Sequence, residues 1–273
     1  MNLATRISIL LILVCFSNMV KADWPVGKKR LVLSPSYNYS STSSYFDQDG
    51  KVRNAVNGGQ FTSKGFGLYG ATGVSRRVDL FFSVPMSFIN SSDIFSEQTK
   101  TGVGDVMVGA SFHTPTENLK KYFTLKVQLM IPAYSNLTSP YLGYGSKGAQ
   151  IAANYSFLPK KGNFAVVEGS VARYFDFADG PTQLGFNTSY GFELPKFQSI
   201  TLAFNHLSSF SSNKIFSTNL NSNKDYMMGR LSGSYGRRIS RTLTPYIQLS
   251  YSVYGRNVGR GLSASVFCLV RLP

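Results

Sequence analysis

From Asp105 to Phe112 the chain alternates: Val106, Val108, Ala110 and Phe112 fall to one side, Asp105, Met107, Gly109 and Ser111 to the other. Side chains of an extended strand point to opposite faces with a period of two, so this stretch has one apolar face and one small, polar face. The pattern recurs to the C-terminal end, with no segment of helical period in between. An apolar face repeated that often needs an apolar cover. No helical layer in the sequence supplies one, whereas lipid would.

The alternation predicts twelve strands, near 30–41, 61–75, 78–90, 102–113, 122–133, 147–158, 163–175, 183–193, 198–210, 225–237, 242–254 and 260–272. In the clearest of them Leu243, Pro245, Ile247, Leu249, Tyr251 and Val253 oppose Thr244, Tyr246, Gln248, Ser250, Ser252 and Tyr254. Each matches the roughly 9–11 residues that a tilted strand needs to cross hydrocarbon. The connections alternate in length. Segments 42–60, 91–101, 134–146, 176–182, 211–224 and 255–259 are mostly long and rich in Ser, Asn, Gly and Asp, and short links at 75–77, 114–121, 159–162, 194–197 and 237–241 separate them. Short periplasmic turns alternating with longer outer loops on an even number of strands describe an outer-membrane barrel. A β-sandwich would show shorter strands and more frequent turns. Lipid also forbids open sheet edges, so spanning strands must close on themselves. The expected fold is all-β: a transmembrane, antiparallel, up-and-down barrel of about 12 strands.

Composition agrees. Charged residues make up 15% of the chain, below the roughly 25% of soluble domains, and the mean hydropathy lies near zero, as it does when two opposed faces average out. Residues 1–22 read as a cleavable secretory signal, with Arg6 in the positive region, Ile7 to Phe16 as the apolar run and Val20-Lys21-Ala22 as the cleavage site. That run falls well short of the ~20 residues of a spanning helix. Val14 stands where a lipoprotein signal would carry a small residue, which argues against acylation of Cys15. With the signal removed, residues 23–273 form a single barrel domain whose one cysteine, Cys268, has no intrachain partner.

The formal charge of +15 falls by two when Arg6 and Lys21 leave with the signal. Basic residues gather at the short links: Arg76 and Arg77, Lys120 and Lys121, Lys160 and Lys161, Lys196, then Arg237, Arg238 and Arg241, with Lys28, Lys29 and Arg30 just before the first strand. With both termini on the periplasmic side they form one basic rim, where each basic residue near an anionic lipid surface contributes roughly 1 kcal/mol. The rim is either simply solvated or attracts anionic solutes or a periplasmic partner. Nucleic acid does not fit: the charges come as doublets a hairpin apart, with no recognition helix or stacking motif between them, and export removes the opportunity.

The pieces GVGDVMVGASF (102–112), RRVDLFFSVP (76–85), FTLKVQLMIP (123–132) and GYGSKGAQIAANYSF (143–157) resemble, in order, the outer-membrane barrel family described as the MetA pathway of phenol degradation, also called simply a transporter family. The likeness runs from about Leu31 to Leu272, and the G-x-G-D-(V/L) element at 102–106 is its most specific part. The resemblance implies an outer-membrane barrel that takes up small, often hydrophobic or aromatic molecules. One departure is the ending Val270-Arg271-Leu272-Pro273, where such chains tend to finish on an aromatic residue, which bears on the terminal assembly signal.

Twelve strands lie between the eight that leave room only for side chains and the sixteen that leave an aqueous channel, so interior side chains decide what passes. The alternation places Asp79, Asp105, Lys126, Glu168 and Arg230 on the lumen face, with Ser83, Ser111, Gln128, Asn154, Ser170, Asn187, Asn205, Ser232 and Gln248. On the lipid face a charge would cost about 2–4 kcal/mol at mid-depth. The charges can pair and brace the wall or form a selective constriction. Tyr246 and Phe81 also point inward, either filling the lumen or lining an apolar path. Gly102 and Gly104 beside Asp105 read first as a shaping bulge.

A catalytic reading has to rest on two histidines. His206 and Ser208 share a face two residues apart, but a Ser–His pair needs an orienting group and an oxyanion site, and no signature for either accompanies them. Two isolated histidines and one cysteine offer no metal-ligand spacing, and no cofactor motif occurs. A third class, structural or adhesive, would use the loops 42–60 and 211–224. The glycosylation sequons at Asn90, Asn136, Asn154 and Asn187 read as chance, since two sit inside strands. The expectation is therefore a monomeric outer-membrane channel, not an enzyme, that meets membrane lipids and a small solute. The alternatives are a non-conducting structural barrel and, after it, a lipid acyl hydrolase.

Overall fold

The computed structural model describes residues 24–116, 119–134, 140–175, 178–214 and 223–273. Residues 1–22, read from the sequence as a secretory signal, and the sequon at 136–138 lie outside the described residues. Fourteen strand segments follow in chain order: β1 (Leu31–Phe46), β2 (Val52–Asn54), β3 (Gln60–Gly73), β4 (Val78–Ser92), β5 (Glu97–Val103), β6 (Asp105–Pro115), β7 (Lys121–Pro132), β8 (Gly148–Phe157), β9 (Asn163–Tyr174), β10 (Thr182–Leu194), β11 (Gln198–Phe210), β12 (Tyr226–Arg237), β13 (Leu243–Arg256) and β14 (Val258–Leu272). β5 and β6 are one wall strand interrupted at Gly104, both pairing with β4. β2 folds back on the end of β1. The wall therefore has twelve strands, and β14 pairs antiparallel with β1, Leu31 opposite Leu272 and Phe46 opposite Val258. Closure leaves the wall no open edge, as hydrocarbon requires.

The polarity of the wall is that of a membrane barrel. On β7 Phe123, Leu125, Val127, Leu129 and Ile131 are exposed, as are Ile247, Leu249, Tyr251 and Val253 on β13. The most completely buried side chains include Thr124, Asn154, Ser156, Thr201, Ser209 and Ser252. Apolar groups face out and polar groups face in, the reverse of a soluble sandwich. Among the described residues, buried apolar side chains form two small clusters inside. One joins Val32, Tyr246, Phe267 and Leu269 near the short turns; the other joins Met130, Ala172 and Tyr174 toward the long loops.

The strands differ from the sequence reading mostly at the long-loop end. β1 runs on to Phe46 and makes a hairpin with β2, so 42–60 is not all loop. Residues 97–101, read as loop, belong to β5, which pairs with β4 from Met86 to Ser92. The expected loop 255–259 shrinks to Asn257 alone, at φ 55°. Asn tolerates this left-handed backbone. Its side chain donates to the Asp225 carbonyl at 3.0 Å, and its own carbonyl accepts from Asn223 at 3.1 Å.

A bulge between β12 and β13 is the other departure. Gly229 pairs with Tyr254 and Arg230 with Ser252, which leaves Val253 as the extra residue. Extra residues of this kind switch the faces of whatever follows them. Tyr254, expected on the lumen face, is turned outward and exposed. Its ring lies across Gly229, where a Cβ would come within 2.1 Å of it, and so reaches over β12 to His206 on β11, whose Nδ1 is 2.8 Å from the Tyr254 hydroxyl.

Candidate functional site: the barrel interior

At the short-turn end β4, β6 and β7 bring Asp79, His113 and Thr124 together, because odd positions on β4 and β6 and even positions on β7 all face inward. His113 Nε2 lies 2.9 Å from Asp79 Oδ2, and its Nδ1 lies 2.9 Å from Thr124 Oγ1. All three are almost fully enclosed, at 4%, 2% and 0% exposure. Asp79 Oδ2 also accepts the backbone N–H of Val26 at 2.8 Å, and Trp24 packs edge-to-face on Tyr122. The segment before β1 is thus pinned inside the barrel mouth. Asp79 Oδ1 is buried without a hydrogen-bond partner. Trp24, Val26, Asp79 and His113 border a cavity of about 1250 Å³ that Phe81, Ser111, Tyr246, Arg238 and Arg241 also line.

Midway along the barrel Lys126 on β7 reaches across β8 to Glu168 on β9, Nζ to Oε2 2.7 Å. Asn187 on β10 donates to the other carboxylate oxygen at 3.0 Å, and Gln128 donates to Gln150 at 2.6 Å. The result is a cross-strand belt of polar contacts, with opposite charges paired along one side of the wall.

Toward the long loops Asp105, at the start of β6, accepts a hydrogen bond from the Tyr134 hydroxyl at 2.8 Å. That hydroxyl in turn accepts the Gly145 N–H at 3.0 Å. Burial pushes the loop hydroxyls of Tyr134 and Tyr144 above the ordinary tyrosine range, so both stay protonated. Tyr144 meets Tyr174 edge-to-face, with ring centroids 4.8 Å apart. Gln183 donates to Tyr144 at 3.2 Å and to Tyr226 at 3.3 Å. Arg230 lies beside this cluster, and together they line a second cavity of about 440 Å³. Gly104 breaks the strand just before Asp105, its N–H donating to the Pro85 carbonyl at 2.8 Å.

Comparison with known proteins bears on the fold. The structure is similar to an outer membrane channel from Pseudomonas putida F1, with a TM-score of 0.77 at 14% identity over 93% of this chain and 100% of that one. It is also similar to the NanC porin, with a TM-score of 0.52 at 9% identity over 88% of this chain and 98% of that one. For the KdgM porin the TM-score is 0.50, again at 9% identity, over 87% and 98%. The fold is that of the outer-membrane β-barrels. No protein-family model matches the chain, and no curated protein matches it by sequence.

Of the residues singled out from sequence, Gln248 faces inward from β13 opposite Ser234 and Ser265. Tyr246 is buried, stacked on Phe267 at 4.8 Å. Arg76, Arg77, Lys120, Lys121, Lys160, Lys161, Arg237 and Arg238 are all exposed at the short-turn end. There Arg238 sits over the Phe197 ring at 4.5 Å. The structure does not bring Asp79, Lys126 and Arg230 into one cluster; they occupy three levels of the barrel, each with its own neighbours.

His113, Thr124, Gln183 and the four tyrosines were not singled out as lumen residues in the sequence reading. The alternation that placed Asp105 and Ser111 inward applies equally to His113, so that signal was present.

His206 Nε2 lies 2.9 Å from Ser208 Oγ. This pair stands on the outward face, and the group on Nδ1 is a phenol, not a carboxylate or amide. Among the described residues no group of three or more His, Cys, Asp or Glu side chains is placed to hold a metal.

Proposed function

We propose that this protein is a monomeric outer-membrane channel for the passive passage of small molecules, including apolar and aromatic ones, with its short turns and basic rim in the periplasm. The observation that carries this reading is a closed, lipid-ready wall enclosing two cavities, of about 1250 and 440 Å³, lined by polar and aromatic side chains. Pore-lining roles fall to Asp79 and Tyr246 at the inner mouth, Lys126, Glu168 and Gln248 along the wall, and Asp105 and Arg230 at the outer mouth. Likeness to a barrel named as a channel and to two named as porins supports transport. The resemblance of residues 76–85, 102–112, 123–132 and 143–157 to the phenol-degradation transporter family favours apolar or aromatic solutes. The basic rim matches an anionic inner-leaflet surface.

Purified protein in a planar bilayer tests the proposal. Discrete ion-conducting steps are expected, and reversal potentials should shift when Lys126 or Arg230 is replaced by alanine. A silent barrel that also fails to swell liposomes in small solutes would favour a structural role. The Ser208–His206 contact is the one observation favouring acyl hydrolysis. Covalent labelling of Ser208 by a fluorophosphonate, with release of fatty acid from phospholipid, would replace the channel reading.

A further inference from the structure

Arg230 differs in its partners from Lys126, the cation midway along the wall. Lys126 has Glu168, with 2.7 Å between Nζ and Oε2. Toward the outer loops Lys224 has Asp179 and Arg256 has Asp225. Among the described residues Arg230 makes no salt bridge, and its guanidinium donates to the thioether of Met228, 3.6 Å away. The carboxylate that shares its cavity, Asp105, is held by Tyr134. A partly buried guanidinium carries up to five N–H donors in a planar fork. Removing such a charge from water is costly unless an anion meets it.

The walls around that fork are specific. Tyr144 and Tyr174 form an edge-to-face pair, and Gln183 ties the Tyr144 and Tyr226 hydroxyls together. Phe61 and Leu142 add apolar surface to the same cavity. Its volume, about 440 Å³, is suited to one small molecule. Tyrosine presents an apolar ring with a polar tip, so the lining can enclose an apolar body while its hydroxyls face a polar head. A planar carboxylate matches the guanidinium fork in a bidentate manner that a neutral amide or hydroxyl does not.

We propose that the outer cavity is a binding site for a small monocarboxylate with an apolar or aromatic body, its carboxylate on Arg230 and its body against Tyr144, Tyr174 and Tyr226. This rests on the channel reading, of which it would be the solute-selecting station.

The test uses the full-length barrel in detergent, with benzoate as probe and benzamide as its neutral counterpart, binding being followed by calorimetry and tyrosine fluorescence. Benzoate is expected to bind and benzamide to bind far more weakly. Arg230→Gln should weaken benzoate by about tenfold or more, the scale of a lost charge-assisted hydrogen bond. Heat-shifted gel migration checks that the variant is folded, and the benzoate–benzamide comparison needs no variant. Equal binding of the two probes, unchanged benzoate affinity in Arg230→Gln, or no binding would each overturn the proposal. Tighter binding of phenylalanine than of benzoate would also overturn it, pointing to a zwitterion shared with Asp105. The bilayer recordings separate the two readings. A conducting barrel that ignores benzoate removes only the site, whereas a silent barrel that binds benzoate removes only the channel.

Discussion

Lys126 and Glu168 face each other across β8 with 2.7 Å between Nζ and Oε2, both partly buried. Removing one member of such a pair strands the other in a place where solvent replaces it poorly. Lys126→Ala is expected to destabilise the barrel by about 3 kcal/mol, the lower end of the range for broken buried pairs. The double change Lys126→Met with Glu168→Gln should cost much less. Urea unfolding of the reconstituted protein measures both; equal losses would mean that lumen water already screens the pair.

Asp79 holds the segment ahead of β1 through the Val26 N–H at 2.8 Å and holds His113 at the same time. Asp79→Ala is expected to free that segment, raising single-channel conductance and opening the Trp24 region to protease. Unchanged conductance alongside increased cleavage would show that the segment is held there without restricting flow.

Gly229 is the gap over which Tyr254 crosses to His206. A methyl group placed there meets the ring, so Gly229→Ala must displace Tyr254 and break the contact. Overpacking of this kind costs about 1–3 kcal/mol. His206→Ala should be milder, because it removes the partner without moving the ring. The order of the two midpoints in denaturant decides the point.

Asp47 accepts hydrogen bonds from Arg53 and from the Asp49 and Lys51 amides, and the Arg53 bond is the largest influence holding its carboxyl below the usual range. A depressed folded value stabilises the β1–β2 hairpin above the unfolded value, near pH 3.9, and that support is lost as pH falls through the folded value. Once corrected for the intrinsic slowing of exchange in acid, the protection of the amides at residues 47–54 should therefore fall below about pH 4 while the wall stays protected. A protection factor at 47–54 unchanged from pH 7 to pH 3 would refute the assignment.

The wall was legible in the sequence because every spanning strand had to declare two faces. The runs 123–131 and 243–253 do so residue by residue, and lipid leaves little tolerance for exceptions. The interior was only half legible. Alternation placed Asp79 and Lys126 inward, but it carries no information about which strand faces which. The partner of Asp79 is 34 residues away in His113, and that of Lys126 is 42 away in Glu168. The outer cavity was harder still, since Tyr134 and Tyr144 come from a connection and periodicity is silent there. Tyr254 went to the wrong face because one extra residue inverts the pattern with no mark in composition.

The seam between β1 and β14 joins distant parts of the chain: the Thr42 hydroxyl bonds to the Arg260 carbonyl, 218 positions along. Translation makes the first of these partners long before the second. Until β14 arrives, β1 has a bare row of amides and carbonyls that a bilayer will not accept. Insertion therefore has to wait for the whole polypeptide, and a chain halted before Val258 would be stranded in the periplasm, prone to clump.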